Sequence, residues 1–169
     1  MADIAFLLLT FFLVTTVIQN HKGILMMLPQ FSQNPPDVPI PERNLFTVQI
    51  NSADRLLVEG KPRETVTGLR VEIEEFILNR GRDKKLSDNP LEAVVSLKTD
   101  RGTTYKMFIA TLDEIKAAYF EIYAKRVGIT AEEFRMLNTN NPREAALYHR
   151  AKEGIPMNIS MAEPSNSRY

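Results

Sequence analysis

Residues 3–18 run DIAFLLLTFFLVTTVI, a single carboxylate, Asp3, at the mouth of an apolar stretch from Ile4 to Ile18 that carries no other charge. Carboxylates are normally kept out of such stretches. An ionised Asp at the centre of a membrane helix costs roughly 2.5–3.5 kcal/mol. One retained there points to a functional role, and proton carriage is the commonest. The fifteen residues from Ile4 to Ile18 make about 22 Å of helix at about 1.5 Å per residue. The hydrocarbon core is about 30 Å thick. Downstream growth is blocked by the polar Gln19, Asn20, His21 and Lys22. The helix is therefore expected to extend upstream through Asp3. The natural chain is expected to carry further apolar residues and a basic tail before Met1, so residues 1–20 are taken as a transmembrane helix truncated at its N-terminus.

Three other readings of the stretch stay open. A cleaved signal peptide needs a basic n-region and a small-residue cleavage site, and neither accompanies it. A buried core helix is the usual fate of apolar runs of about 10–14 residues. An Asp that caps a helix at headgroup level is the third.

Bulk composition narrows the function class. The chain has 169 residues, 21 Lys and Arg against 21 Asp and Glu, and no cysteine. Zero net charge predicts no nucleic-acid or anionic-lipid footprint. Without cysteine there are no disulfides, thiolate metal sites or cysteine nucleophiles. His21 and His149 stand far apart in the sequence, with nothing visible to complete a metal site.

Beyond the apolar run, residues 21–43 form a linker. Its first part, HKGILMML, is partly apolar, and Pro29, Pro35, Pro36, Pro39 and Pro41 follow within fifteen residues. Proline at that density favours an extended, semi-rigid spacer or an ordinary loop. From Asn44 the pattern is that of a small α+β domain reaching residue 163. Phe46, Val48 and Ile50 alternate with polar residues as in a half-buried strand, and Asn51–Asp54 turns into a second strand, Arg55–Val58. Val66, Leu69, Ile73, Phe76 and Ile77 recur at helical spacing, with Gly81 as the stop. Ala93–Thr99 is a third strand. Tyr105, Phe108, Ile109, Leu112, Ile115, Tyr119, Ile122 and Tyr123 form the apolar stripe of a long helix that ends at Gly128. Thr130 and Glu133 have the spacing of a capping box, and Asn141, Pro142 and Glu144 mark another helix start running to about Lys152. Pro156–Ala162 alternates as a last strand before a tail, 164–169.

No GxGxxG, P-loop, HExxH or GxSxG motif is present, and no enzymatic activity is expected. The pairs Glu74-Glu75 and Glu132-Glu133 are expected to be solvated helix faces. Asp3 is the one residue of unusual chemical placement.

These segments together resemble the ExbD/TolR family. The stretch Met1–Thr16 looks like its membrane motif, an Asp followed by a Leu- and Phe-rich run. Leu28-Pro29 resembles the Leu-Pro pair that follows that helix, and Phe46–Gly60 its first hairpin. Leu112-Asp113-Glu114-Ile115-Lys116 resembles a Leu-Asp-x-x-Lys element on its second helix, and Glu163-Pro164 the close of its last strand. The family passes quickly from its second helix to that strand, whereas here residues 125–154 insert two further helices.

The resemblance implies an inner-membrane, single-pass subunit with a periplasmic β-β-α-β-α-β domain. It implies a motor that uses the proton motive force to energise TonB-dependent outer-membrane transport. The alternatives are a TolR-like role in outer-membrane integrity and a passive membrane-anchored binding module. Asp3 would carry protons, Thr10 would support it in the pore, and Leu28 and Pro29 would contact partners. Two copies would sit in a ring of ExbB or TolQ and pass force to TonB, or to TolA and Pal. No cofactor is implied beyond the proton itself.

Overall fold

The computed structural model describes residues 2–15, 40–79 and 82–162. The chain divides into two units, residues 1–37 and 38–169. In the first, helix α1 spans Ala2–Thr15. Among the described residues no helix is long and apolar enough to cross a membrane; α1 is described over 14 residues. Gly81, Leu28, Pro29, His21 and the Glu163-Pro164 pair lie outside the described residues, as do most of the expected linker and all of the tail.

The second unit is a mixed α+β domain. After a turn of 3-10 helix at Glu42–Asn44 come β1 (Leu45–Ile50), β2 (Leu56–Val58), β3 (Lys61–Arg63), α2 (Leu69–Ile77), β4 (Val94–Thr99), α3 (Tyr105–Val127), α4 (Ala131–Met136), α5 (Pro142–Lys152) and β5 (Ile159–Ala162). The five strands form one sheet in the order β3-β2-β1-β4-β5. β1, β2 and β3 pair antiparallel as a meander. β1 and β4 pair parallel, Leu45 opposite Val94 through Ile50 opposite Thr99, and β4 and β5 also pair parallel. Each parallel pair needs a crossover, supplied by α2 for the first and by α3, α4 and α5 for the second.

The alternation in β1 decides which face of the sheet is covered. Phe46, Val48 and Ile50 are buried while Leu45, Thr47 and Gln49 are only half-buried. The buried set meets Leu69, Ile73, Phe76 and Ile77 of α2 and Leu112, Ile115, Tyr119, Ile122 and Tyr123 of α3 in one core. Phe46 and Phe76 have ring centroids 5.3 Å apart. The turn at 51–54 closes because the Asn51 side-chain oxygen accepts from Ala53 N and Arg55 N, as Asn does in turns. Helix α3 starts on Thr104, whose hydroxyl accepts from Met107 N. It stops at Gly128, where φ is +75° and a side chain would be strained.

Four details depart from the sequence reading. β3 is an additional strand: its segment Lys-Pro-Arg has no apolar alternation, and it exists because the β2 edge offers it a ladder. Proline is tolerated on such an outer strand. Helix α2 begins at Leu69 and ends at Ile77, leaving Val66 in the preceding turn and partly buried against the core. Tyr105 is not part of the buried stripe: it is 75% exposed at the first turn of α3. The last strand begins at Ile159 rather than Pro156, and its Met161 is exposed at the sheet edge.

Candidate functional site

Over its described side chains, residues 4–12, helix α1 has no polar face. Ile4, Phe6, Leu7, Leu8, Leu9, Phe11 and Phe12 lie at every angle around it, and each is between 53% and 65% exposed. A helix that is apolar all round belongs in an apolar environment. Asp3 stands in its first turn, and Thr10 follows seven residues later, on the same face. Ile4, Leu7, Leu8, Thr10 and Phe11 line a shallow open groove on that side.

The Thr10 hydroxyl is already committed. It donates to the carbonyl oxygens of Phe6 and Leu7, 3.0 Å away in each case. Its bond is to its own helix backbone, the usual arrangement for a Thr within an apolar helix. Of the four sequence-predicted site residues, Asp3 and Thr10 lie within α1, seven residues apart, while Leu28 and Pro29 fall outside the described residues.

In the domain, the Leu-Asp-Glu-Ile-Lys element of α3 serves structure at almost every position. Leu112 and Ile115 are core residues. Glu114 takes a forked pair of hydrogen bonds from Arg70 Nε and Nη2, at 3.1 and 3.0 Å, and Glu121 takes Arg70 Nη1 at 2.7 Å. These two carboxylates hold the Arg70 guanidinium above its ordinary value and fasten α2 to α3. Asp113 reaches Arg135 of α4 at 3.7 Å. Lys116 is lowered from the ordinary lysine value by burial, which the Asp113 charge opposes.

The acidic pairs are less idle than solvated faces. Glu74 receives Lys125 Nζ at 2.6 and 2.8 Å across the α2–α3 contact. Glu133 completes the capping box of α4, accepting from Thr130 N at 2.8 Å and from the Thr130 hydroxyl at 3.0 Å. Glu75 and Glu132 are exposed, as expected. His149 is exposed on α5 with its ring edge-on to Tyr148. Among the described residues no three His, Cys, Asp or Glu side chains gather to hold a metal ion.

Helices α4 and α5 are joined to α3 by an aromatic cluster. Phe134 lies 5.5 Å from Tyr123, 6.0 Å from Phe120 and 5.5 Å from Tyr148, the last nearly parallel to it. Arg135 sits 5.0 Å over the Phe120 ring. Arg126 donates to the carbonyl oxygen of Ala151 at 2.9 Å and to that of Glu153. The Tyr123 hydroxyl donates to Ile155 O at 2.8 Å. Burial raises the phenol of Tyr123, and of Tyr119 beside it, well above the ordinary range. The insertion is thus packed into the domain just before β5. Sequence spacing shows the helices themselves, but not that Phe134 is the residue they turn on.

No curated protein matches this chain. The model of the biopolymer transport protein ExbD/TolR family matches residues 1–128, from α1 through the end of α3. The match covers well over half of the chain, so the chain belongs to the ExbD/TolR family.

Proposed function

We propose that this chain is the proton-carrying subunit of an inner-membrane motor that energises TonB-dependent transport across the outer membrane. One observation carries the reading. In a member of this family, a carboxylate, Asp3, occupies the first turn of a helix with no polar face over residues 4–12. On this reading residues 1–20 belong to the membrane and 21–43 are a spacer. Residues 44–163 form a periplasmic domain, with 125–154 an added helical segment and 164–169 a tail. The partners are an ExbB- or TolQ-like ring protein, a second copy of this chain, and a TonB-like protein, or a TolA- or Pal-like one. No cofactor is involved beyond the proton as coupling ion.

The physical argument is short. One elementary charge crossing the membrane is worth about 2.3 kcal/mol per 100 mV. A carboxylate that is neutral on one side of its travel and charged on the other changes the surface with which its helix packs. Cycling between the two forms turns proton flow into movement of the helix. Asp3 is the residue on α1 able to make that change. Thr10 stands on the same face, but its bonds to Phe6 O and Leu7 O leave it a spacer in the groove rather than a proton relay. Leu28 and Pro29, at the start of the spacer, are where partner contact is expected.

The test is growth of cells with Asp3→Asn on iron supplied only as a large chelate, with the membrane level of the protein checked by blot. Asn keeps the shape and hydrogen bonding of Asp but cannot ionise. Lost growth at normal protein level is expected. Unchanged growth with new detergent sensitivity would assign the chain to the TolR-like role. Unchanged growth and unchanged detergent resistance would leave α1 as a passive anchor.

A further inference from the structure

The zero net charge of the chain conceals a local separation. Arg82, Lys84 and Lys85 are exposed within four residues, with Asp83 as the single carboxylate among them. Among the described residues none of the three cations has an ion-pair partner. The Asp83 carboxylate is itself exposed and accepts from Lys85 N at 2.9 Å, so the loop carries a net charge of about two positives. Asp88, the next acid along, is taken by Arg43 at 2.7 Å.

The loop that carries these cations is built rather than loose. Asn79, 7% exposed, spans it from within. Its amide donates to Asp83 O at 2.8 Å and Ser87 O at 2.9 Å, and its oxygen accepts from Asp83 N at 2.8 Å. The fully buried Ser87 donates to Phe76 O at 2.7 Å. A buried amide using three hydrogen bonds on one surface loop fixes the shape of that loop, so three like charges are held together against their repulsion.

The loop has a defined place in the domain. The loop lies against the entry of the chain into the domain. Arg43 donates to Leu86 O at 3.3 Å, and the Asn44 side chain accepts from Asp88 N at 2.9 Å. Residues 40–44, where the described chain enters the domain, therefore lie at this end. We infer that the Arg82–Lys85 loop is a contact for the anionic headgroups of the membrane in which α1 is anchored. Each Lys or Arg at an anionic surface favours binding by about fivefold, and the net two charges of this loop by about twenty-five-fold. That is weak for a free protein but sufficient for one already tethered, where effective concentrations are of millimolar order. The inference takes its tether from the membrane reading of α1; the loop and its charges stand without it.

The chain has no cysteine, so a single fluorophore can be placed at Leu91→Cys, an exposed position beyond the loop. The full chain is reconstituted in neutral phosphatidylcholine vesicles and in vesicles containing phosphatidylglycerol, each with a headgroup-borne quencher. Quenching is expected to be stronger in the anionic vesicles. It should fall to the neutral level in R82Q/K84Q/K85Q, and in about 1 M salt, where the Debye length is about 3 Å. Equal quenching in both lipids, or in wild type and triple variant, overturns the inference. Flotation with neutral vesicles tests α1 separately. If the protein does not float there, the membrane reading fails, and the wild-type against triple-variant difference on anionic vesicles at low salt still decides the loop.

Discussion

The carboxylate of Asp54 takes both polar hydrogens of Thr104: the backbone N–H at 2.9 Å and the hydroxyl at 2.8 Å. Fifty residues of chain separate the two. Asp54 ends the β1–β2 turn with φ at +57°, and Thr104 is the N-cap of α3. One acid thus fastens the hairpin to the start of the longest helix, where negative charge is favoured in any case. Asp54→Ala is expected to cost about 1–2 kcal/mol, the usual price of a lost cap, plus strain from a left-handed Ala. Asp54→Gly relieves the strain and should be the milder variant. Urea denaturation of both measures the difference; equal stability of wild type and Asp54→Ala would show that the tie contributes nothing.

Phe134 is the pivot of the α4–α5 segment, fully enclosed by Phe120, Tyr123 and Tyr148. Phe134→Ala should destabilise the domain by about 3–5 kcal/mol. Hydrogen exchange is expected to rise first in α4 and α5, because Phe134 is their main aromatic contact with α3. Uniform loss of protection across β1 and β4 instead would mean that the segment folds inseparably with the sheet.

Glu133 is held below its ordinary value chiefly by the backbone N–H of Thr130, and next by its hydroxyl. A carboxyl depressed by folding contributes stability above its unfolded value and loses it as pH falls through the folded one. Wild type should therefore exceed Glu133→Gln in Tm at neutral pH, and the gap should close in acid, below about pH 4.3, the ordinary glutamate value. A gap that persists unchanged at low pH would contradict the charge-assisted cap. Gln keeps some capping capacity, so the difference is expected to be small.

Asn79→Ala removes a buried amide that serves three backbone groups. A loss of about 1–3 kcal/mol is expected from the groups left unsatisfied, with faster amide exchange over residues 83–87. Lys84→Gln, at an exposed neighbouring position, should leave Tm unchanged. If Asn79→Ala is equally silent, the loop is not held from within.

Thr10→Val tests the groove of α1. Because the hydroxyl is spent on Phe6 O and Leu7 O, its removal should leave energy coupling within about twofold of wild type, as expected for a back-bonded Thr. A loss as deep as that of Asp3→Asn would assign the hydroxyl to the proton path.

The legible parts of this protein are those where one local rule decides. The period-two alternation of Phe46, Val48 and Ile50, the helical spacing from Leu112 to Tyr123, the Thr130–Glu133 box and the Asn141-Pro142 start all appear in the structure where local pattern puts them. Each depends on residues within one or two turns. The apolar run with its Asp, and the family it resembles, are equally visible without coordinates. β3 was not, because Lys61-Pro62-Arg63 has no intrinsic strand character and takes its shape from the β2 edge. The exposure of Tyr105 and the commitment of Glu74 to Lys125 were likewise set by where α2 and α3 meet. Net charge sums over the chain and carries no information on how the charges are distributed. Only tertiary structure could pair Asp88 with Arg43 and leave Arg82, Lys84 and Lys85 without an ion-pair partner among the described residues, beside the entry of the described chain into the domain. Sequence by itself determined the elements and the family, since those follow from short-range periodicity and motif. The folded chain decided which charges are neutralised and which remain, since that depends on neighbours many residues away.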